Sequence, residues 1–135
     1  MLAVQSPEVI SLLKYVQKDN FCETLYNSME SVKILLGAGA EVDTQDKLGR
    51  TALMLAISHP AICMELLKNG ASPNMSDYYG QTSLHNAAQT SNVKAIKLLL
   101  KAGAVISVQD QNGRTPLSIA ESGKNPKVIK LLKNL

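Results

Sequence analysis

Three stretches decide how this chain folds: Asp46-Lys47-Leu48-Gly49-Arg50-Thr51-Ala52-Leu53-Met54-Leu55-Ala56, Asp77-Tyr78-Tyr79-Gly80-Gln81-Thr82-Ser83-Leu84-His85-Asn86-Ala87 and Asp110-Gln111-Asn112-Gly113-Arg114-Thr115-Pro116-Leu117-Ser118-Ile119-Ala120. Each reads Asp-x-x-Gly-x-Thr-x-Leu-x-x-Ala. Gly49 and Gly80 are 31 residues apart, Gly80 and Gly113 33. A second block alternates with the first. It runs Val32-Lys33-Ile34-Leu35-Leu36-Gly37-Ala38-Gly39-Ala40, then Met64-Glu65-Leu66-Leu67-Lys68-Asn69-Gly70-Ala71, then Ile96-Lys97-Leu98-Leu99-Leu100-Lys101-Ala102-Gly103-Ala104. A last copy, Val128 to Lys133, stops before its Gly-Ala. A period of this length marks one supersecondary unit repeated and stacked.

The residue types fit that unit position by position. In Asp-x-x-Gly the glycine supplies a positive φ without steric cost, and the aspartate side chain accepts from nearby backbone N–H groups. Thr51, Thr82 and Thr115 precede apolar runs, where a helix N-cap belongs. Pro116 follows Thr115 at the first helical position, where its missing N–H does no harm. Ala56, Ala87, Ala88 and Ala120 leave room for close helix approach. The second helix carries a leucine-rich stripe and stops at Gly39, Gly70 or Gly103. Each unit is therefore a turn followed by two antiparallel helices, and a single unit cannot bury its own apolar face.

These residues closely resemble the ankyrin repeat, whose period is 33 residues and whose signature is Thr-Pro-Leu-His. The resemblance is good over residues 28–135. It implies an all-α solenoid of roughly four stacked helix-turn-helix units joined by hairpin-like turns. The expected divisions are a partial repeat at 1–15, a divergent and shortened repeat at 16–42, repeats at 43–75 and 76–108, and a C-terminal repeat at 109–135. Toward the N-terminus Lys18-Asp19-Asn20-Phe21-Cys22-Glu23-Thr24-Leu25-Tyr26 replaces the usual turn, and Ile10 to Val32 is only 22 residues. The chain is expected to start inside a repeat, and Leu135 ends it on an apolar helix without the polar finish of a capping repeat. His85 occupies the Thr-x-Leu-His slot, and the resemblance implies that it holds the turn through hydrogen bonds. Asn74 resembles the asparagine hydroxylated in some ankyrin repeats, and only this copy offers it, since its counterparts are Asp43 and Ser107.

Nothing in the sequence assembles a catalytic site, so no enzymatic activity, cofactor or metal is expected. The two histidines do not converge with a nucleophile or a carboxylate pair. Met54 and Ser118 stand where His85 stands, and His59, before Pro60, reads as a surface residue. Gly37-Ala38-Gly39 follows a helix instead of a strand, which fails the dinucleotide-binding context. Cys22 and Cys63 form no C-x-x-C and read as buried thiols suited to a reducing compartment. No apolar run approaches the ~20 residues of a membrane span, and the N-terminus has no basic secretory leader. The expected location is the cytosol or nucleus, and the expected state is monomeric.

What remains is binding. The resemblance implies a protein partner, held by the turn tips and the exposed side of the first helix. Leu48, Tyr78 and Tyr79 fill the slots between Asp and Gly, where exposed aromatic and aliphatic side chains make interface anchors. Arg50, Gln81 and Arg114 share the slot after each glycine and are expected as a polar row beside them. Ser58, Gln89, Thr90 and Ser122 are expected to face the groove. Asn86, at a station held elsewhere by Leu55 and Ile119, is expected to make a local hydrogen bond. A second surface is basic. Residues 1–76 hold six Lys and Arg against eight Asp and Glu, and residues 77–135 hold eight against three. Lys94, Lys97 and Lys101 share one helical face, as do Lys127, Lys130 and Lys133, with Lys124 just before. This alternative surface would take an acidic protein or an anionic membrane surface. Nucleic acid is disfavoured, because no aromatics are interleaved to stack bases. A third reading is a regulatory fragment of a larger protein.

Overall fold

The computed structural model describes residues 22–39 and 41–134, with side chains from Met29 onward. The expected partial repeat at 1–15, the Cys22 thiol and the Leu135 terminus lie outside the described residues. Among these residues there are seven helices: α1 (Cys22–Gly37), α2 (Ala52–Leu55), α3 (Pro60–Lys68), α4 (Ser83–Gln89), α5 (Val93–Lys101), α6 (Pro116–Gly123) and α7 (Pro126–Lys133). The one strand-like feature is an isolated bridge between Ser76 and Thr82. First helices stack on first helices, α2 on α4 on α6, and α1, α3 and α5 form the second layer. The backbones of α5 and α7 barely meet.

The apolar periodicity of each helix becomes a row along the stack. Leu53 and Leu84, then Ala56, Ala87 and Ala120, are buried between first helices. Ile62, Cys63 and Leu66 continue through Ala95, Ile96 and Leu99 to Val128 and Leu132 in the second layer. Burying one such leucine or isoleucine side chain contributes about 1.5–3 kcal/mol, and a neighbour repeat must supply half of its surroundings.

Three repeats begin with the same turn. Asp46 Oδ1 accepts from the backbone N–H of Leu48 and Arg50, Asp77 Oδ1 from Tyr79 and Gln81, and Asp110 Oδ1 from Asn112 and Arg114. Gly49, Gly80 and Gly113 take φ of +79°, +77° and +74°. The tips then bond to one another. The Tyr78 N–H donates to the Leu48 carbonyl and the Gln111 N–H to the Tyr79 carbonyl, both at 3.0 Å. Gln45 Nε2 spans the same joint, donating to the Gly49 and Ser76 carbonyls. At the other end of the turn, Asp43 accepts from the Ser72 N–H, and Asn74 accepts from Val105 and donates to Gly103.

The glycines differ in what they face. A Cβ on Gly49 would lie 2.6 Å from Tyr78 Cδ1 and 2.8 Å from the Tyr78 nitrogen, so Gly49 is the seat on which the next tip rests. Gly113 meets nothing within 4 Å. Both positions carry the left-handed penalty, but only Gly49 adds a clash. In urea titrations, Gly113→Ala is expected to cost about 1–2 kcal/mol. Gly49→Ala should cost about 1–3 kcal/mol more. Equal losses would mean the seat is not needed.

The repeat that is two residues short loses them in its first helix. Helix α2 has 4 residues where α4 has 7 and α6 has 8. His59 then occupies the N-cap of α3, the station held by Asn92 before α5 and Asn125 before α7. Both asparagines accept helix N–H groups through Oδ1, whereas His59 makes no side-chain cap. The expectation of a surface histidine is corrected here. His59 is half-buried, and its Nε2 is enclosed with no partner among the described residues. Burial holds its imidazole below the ordinary value of 6.5. Folding thus disfavours its protonated form, and that stability is lost as pH falls through 6.5. His59→Asn should restore a cap worth about 0.5–2 kcal/mol, with a larger gain over the parent at pH 5.5 than at pH 8. A gain that does not grow on acidification, measured by denaturant unfolding at both pH values, would remove the titration argument.

Candidate functional site

The candidate contact surface is the row of turn tips and the adjoining ends of the first helices. Leu48, Tyr78 and Tyr79 are 42%, 63% and 57% exposed. The tip-to-tip hydrogen bonds place Leu48 directly beside Tyr78, and Gln111 Nε2 donates to the Tyr78 carbonyl at 2.6 Å. The backbone under these side chains is thus fixed from both neighbours. One edge of the Tyr78 ring lies over Gly49, while most of both rings stays open to solvent.

The polar row behind the tips is engaged within the repeats. Arg50 binds Asp46 Oδ2 through Nε and Nη2, both at 2.9 Å. Arg114 Nε binds Asp110 Oδ2 at 2.9 Å, and Gln81 Nε2 reaches that same oxygen across the repeat boundary at 3.4 Å. Burial of Asp110 opposes its charge. The backbone N–H groups of Arg114 and Asn112 and the side chains of Gln81 and Arg114 outweigh this and hold its carboxyl down at about 2. These residues shape the tips more than they offer free donors. Gln89, Thr90, Ser58 and Ser122 are exposed, and the Thr90 hydroxyl donates back to the Asn86 carbonyl. Asn86 is half-buried, and its side chain makes no hydrogen bond among the described residues. The expected local bond is made instead by its main chain, since water can satisfy a partly exposed amide.

His85 is fully buried. The Thr82 N–H donates to its Nδ1, so that nitrogen is the acceptor and Nε2 carries the hydrogen. Nε2 then donates to the Arg114 carbonyl of the next repeat at 2.9 Å. With both nitrogens engaged in structure, His85 offers nothing to a substrate. Burial pushes the Cys63 thiol up to about 12, and its Sγ donates to the Ala56 carbonyl, so it is no nucleophile at neutral pH. Among the described residues no group of three His, Cys, Asp or Glu side chains could hold a metal, and no helix is long and apolar enough to cross a membrane.

The lysine surface takes a form the sequence did not disclose. Because α5 and α7 splay apart, an open groove of about 400 Å³ lies between them, lined by Val93, Lys97, Lys127, Lys130, Leu131 and Asn134. Lys97 is thereby brought together with Lys127 and Lys130. Lys94, Lys101, Lys124 and Lys133 are exposed but do not line it.

Stacked turn-and-two-helix units with solvent-facing tips define the class of helical repeat protein to which this chain belongs. The family model "Ankyrin repeats (3 copies)" matches residues 1–110, and the chain belongs to the ankyrin-repeat family. Such repeats are generally protein–protein interaction modules and generally non-catalytic. The chain is 39% identical over 69 residues to inversin of Mus musculus, covering 50% of this chain and 6% of inversin. It is 38% identical over 84 residues to the putative E3 ubiquitin-protein ligase XBAT34 of Arabidopsis thaliana, covering 58% and 22%. It is 40% identical over 77 residues to the nuclear factor NF-kappa-B p105 subunit of Mus musculus, covering 54% and 8%. The chain thus spans less than a quarter of each of these relatives.

Acid should weaken the tip row in a defined window. The depressed Asp110 carboxyl contributes stability that is full above its ordinary value of 3.8 and is lost as pH falls through about 2. Asp110→Asn should therefore be less stable than the parent at pH 7, and the gap should close over that window. A constant gap in thermal unfolding from pH 7 to 2 would contradict this assignment.

Proposed function

We propose that this chain is a non-catalytic protein-binding module. Its contact surface centres on Leu48, Tyr78 and Tyr79 and extends to Gln89 and Thr90. The single observation that carries the reading is the exposure of three large apolar side chains on two adjacent tips whose backbones are bonded to each other. Rigid aromatic anchors lose little conformational freedom on binding and commonly dominate interface energetics. Arg50, Gln81 and Arg114 flank the anchors and stiffen them, and Arg114 keeps part of its guanidinium open to a partner. The free, buried Cys63 thiol is compatible with a reducing compartment, which supports a cytosolic or nuclear location as part of this reading.

A second reading is favoured by the lysine-lined groove: binding of an acidic or anionic partner on the second-helix face. The two readings respond differently to salt, since exposed charges are screened over about 8–10 Å at physiological ionic strength. Bait proteins on resin test them: the parent, Tyr79→Ala with Leu48→Ala, and Lys97→Gln with Lys130→Gln, each shown folded by circular dichroism. A partner bound through the tips should persist at raised salt. It should lose about tenfold or more in affinity for each anchor removed, as hot-spot truncations of 1.4 kcal/mol and above do. A partner lost only with the lysine variant would overturn the tip assignment.

A further inference from the structure

The helices α5 and α7 carry six lysines and no acidic residue: Val-Lys-Ala-Ile-Lys-Leu-Leu-Leu-Lys and Pro-Lys-Val-Ile-Lys-Leu-Leu-Lys. Among the described residues the ion pairs are Arg50–Asp46 and Arg114–Asp110, so no lysine of this face has a carboxylate partner. An uncompensated basic face alone is ordinary solvated surface. Here it is combined with apolar side chains lining an open groove. The groove between α5 and α7 has Val93 and Leu131 in its lining, with Lys97 on one side and Lys127 and Lys130 on the other. At about 400 Å³ it is too small for a whole helix and large enough for a few aliphatic side chains.

We infer that this groove binds an acidic peptide segment, which places an aliphatic side chain over Val93 and Leu131 and its flanking carboxylates against Lys97, Lys127 and Lys130. This deepens the second reading above and rests on it. Charge complementarity selects the acidic partner, because Lys97, Lys127 and Lys130 line one groove and have no carboxylate partner among the described residues. Shape selects a peptide over a bilayer. A flat anionic surface would meet the outermost lysines equally, whereas an open groove lined by Val93 and Leu131 between two helices offers a seat to a protruding aliphatic side chain.

The test uses the full chain and three probes. One is a fluorescein-labelled peptide of repeated Glu-Leu-Glu-Glu units, the second is the same peptide with every Leu changed to Ser, and the third is phosphatidylserine vesicles. Fluorescence anisotropy reads the peptides, and co-sedimentation reads the vesicles. The proteins are the parent, the groove variant Lys97→Glu/Lys130→Glu, and the control Lys94→Glu/Lys101→Glu, which changes the net charge equally but outside the groove. All three must give the same helical circular dichroism. The expected result is saturable binding of the leucine peptide, weakened about tenfold or more by the groove variant and less than threefold by the control. The serine peptide should bind about tenfold more weakly than the leucine peptide. Equal binding of both peptides, or equal loss in both variants, would leave a diffuse basic face and overturn the groove. Binding of vesicles without the peptide overturns the peptide assignment. Binding of no probe removes the second reading as well.

Discussion

The Asp-x-x-Gly turn is the constraint from which the rest of the molecule follows. Its aspartate takes two backbone N–H groups, and its glycine accepts a positive φ, so the tip has one shape. That shape points one N–H and one C=O at the neighbouring tip, and the bonds from Tyr78 to Leu48 and from Gln111 to Tyr79 set the register of stacking. Once register is set, Leu53 and Leu84, and Ile62 and Ala95, join one buried core, and the leucine stripes have somewhere to go. His85 adds a side-chain bond to the same joint from below, fixed in one tautomer by the Thr82 N–H. The polar and apolar parts of the design are therefore not separable. The hydrogen bonds choose the register, and burial supplies the larger share of the free energy.

The same turn also dictates what can be shown to a partner. Two residues between Asp and Gly are lifted from the surface, and their identity does not disturb the turn beneath them. Nearby repeats hold Lys47-Leu48 and Gln111-Asn112 there, and the middle one holds Tyr78-Tyr79. Fold and recognition are thus written in different letters of one motif. Gly49 joins them at one point, because the absence of its side chain lets the Tyr78 ring lie down on the previous repeat.

The legible parts of the sequence were those whose chemistry is local. Thr51, Thr82 and Thr115 as caps, the aspartates as turn acceptors, and the glycines as left-handed stations all depend on residues within four positions. The all-α stacked architecture follows from them. What was not legible depends on neighbours a whole repeat away. The splay of α5 from α7, and hence the meeting of Lys97 with Lys130, is a property of packing and leaves no mark in either helix. Arg50 and Arg114 are expected from the sequence as a polar row beside the anchors, and their engagement with Asp46 and Asp110, four residues away, is visible only in the structure. His59 was misread although a signal existed. Laid in register with Asn92 and Asn125, it stands where two repeats place a helix cap, which argues against a loose surface residue.

The four-residue helix α2 has a mechanical consequence. In a stack where each unit touches only its neighbours, tension applied at the two ends is carried in series through every joint. The joint with the fewest cross-links then sets the strength of the whole. The unit built on α2 has a single helical turn in its first layer and an uncapped second helix, while the two units that follow, after Gly80 and after Gly113, have fuller helices and capped starts. Among the described repeats, residues 51–60 are therefore where the stack is held together least. The two residues missing between Gly49 and Gly80 thus leave a thinner first layer than in the two units that follow it.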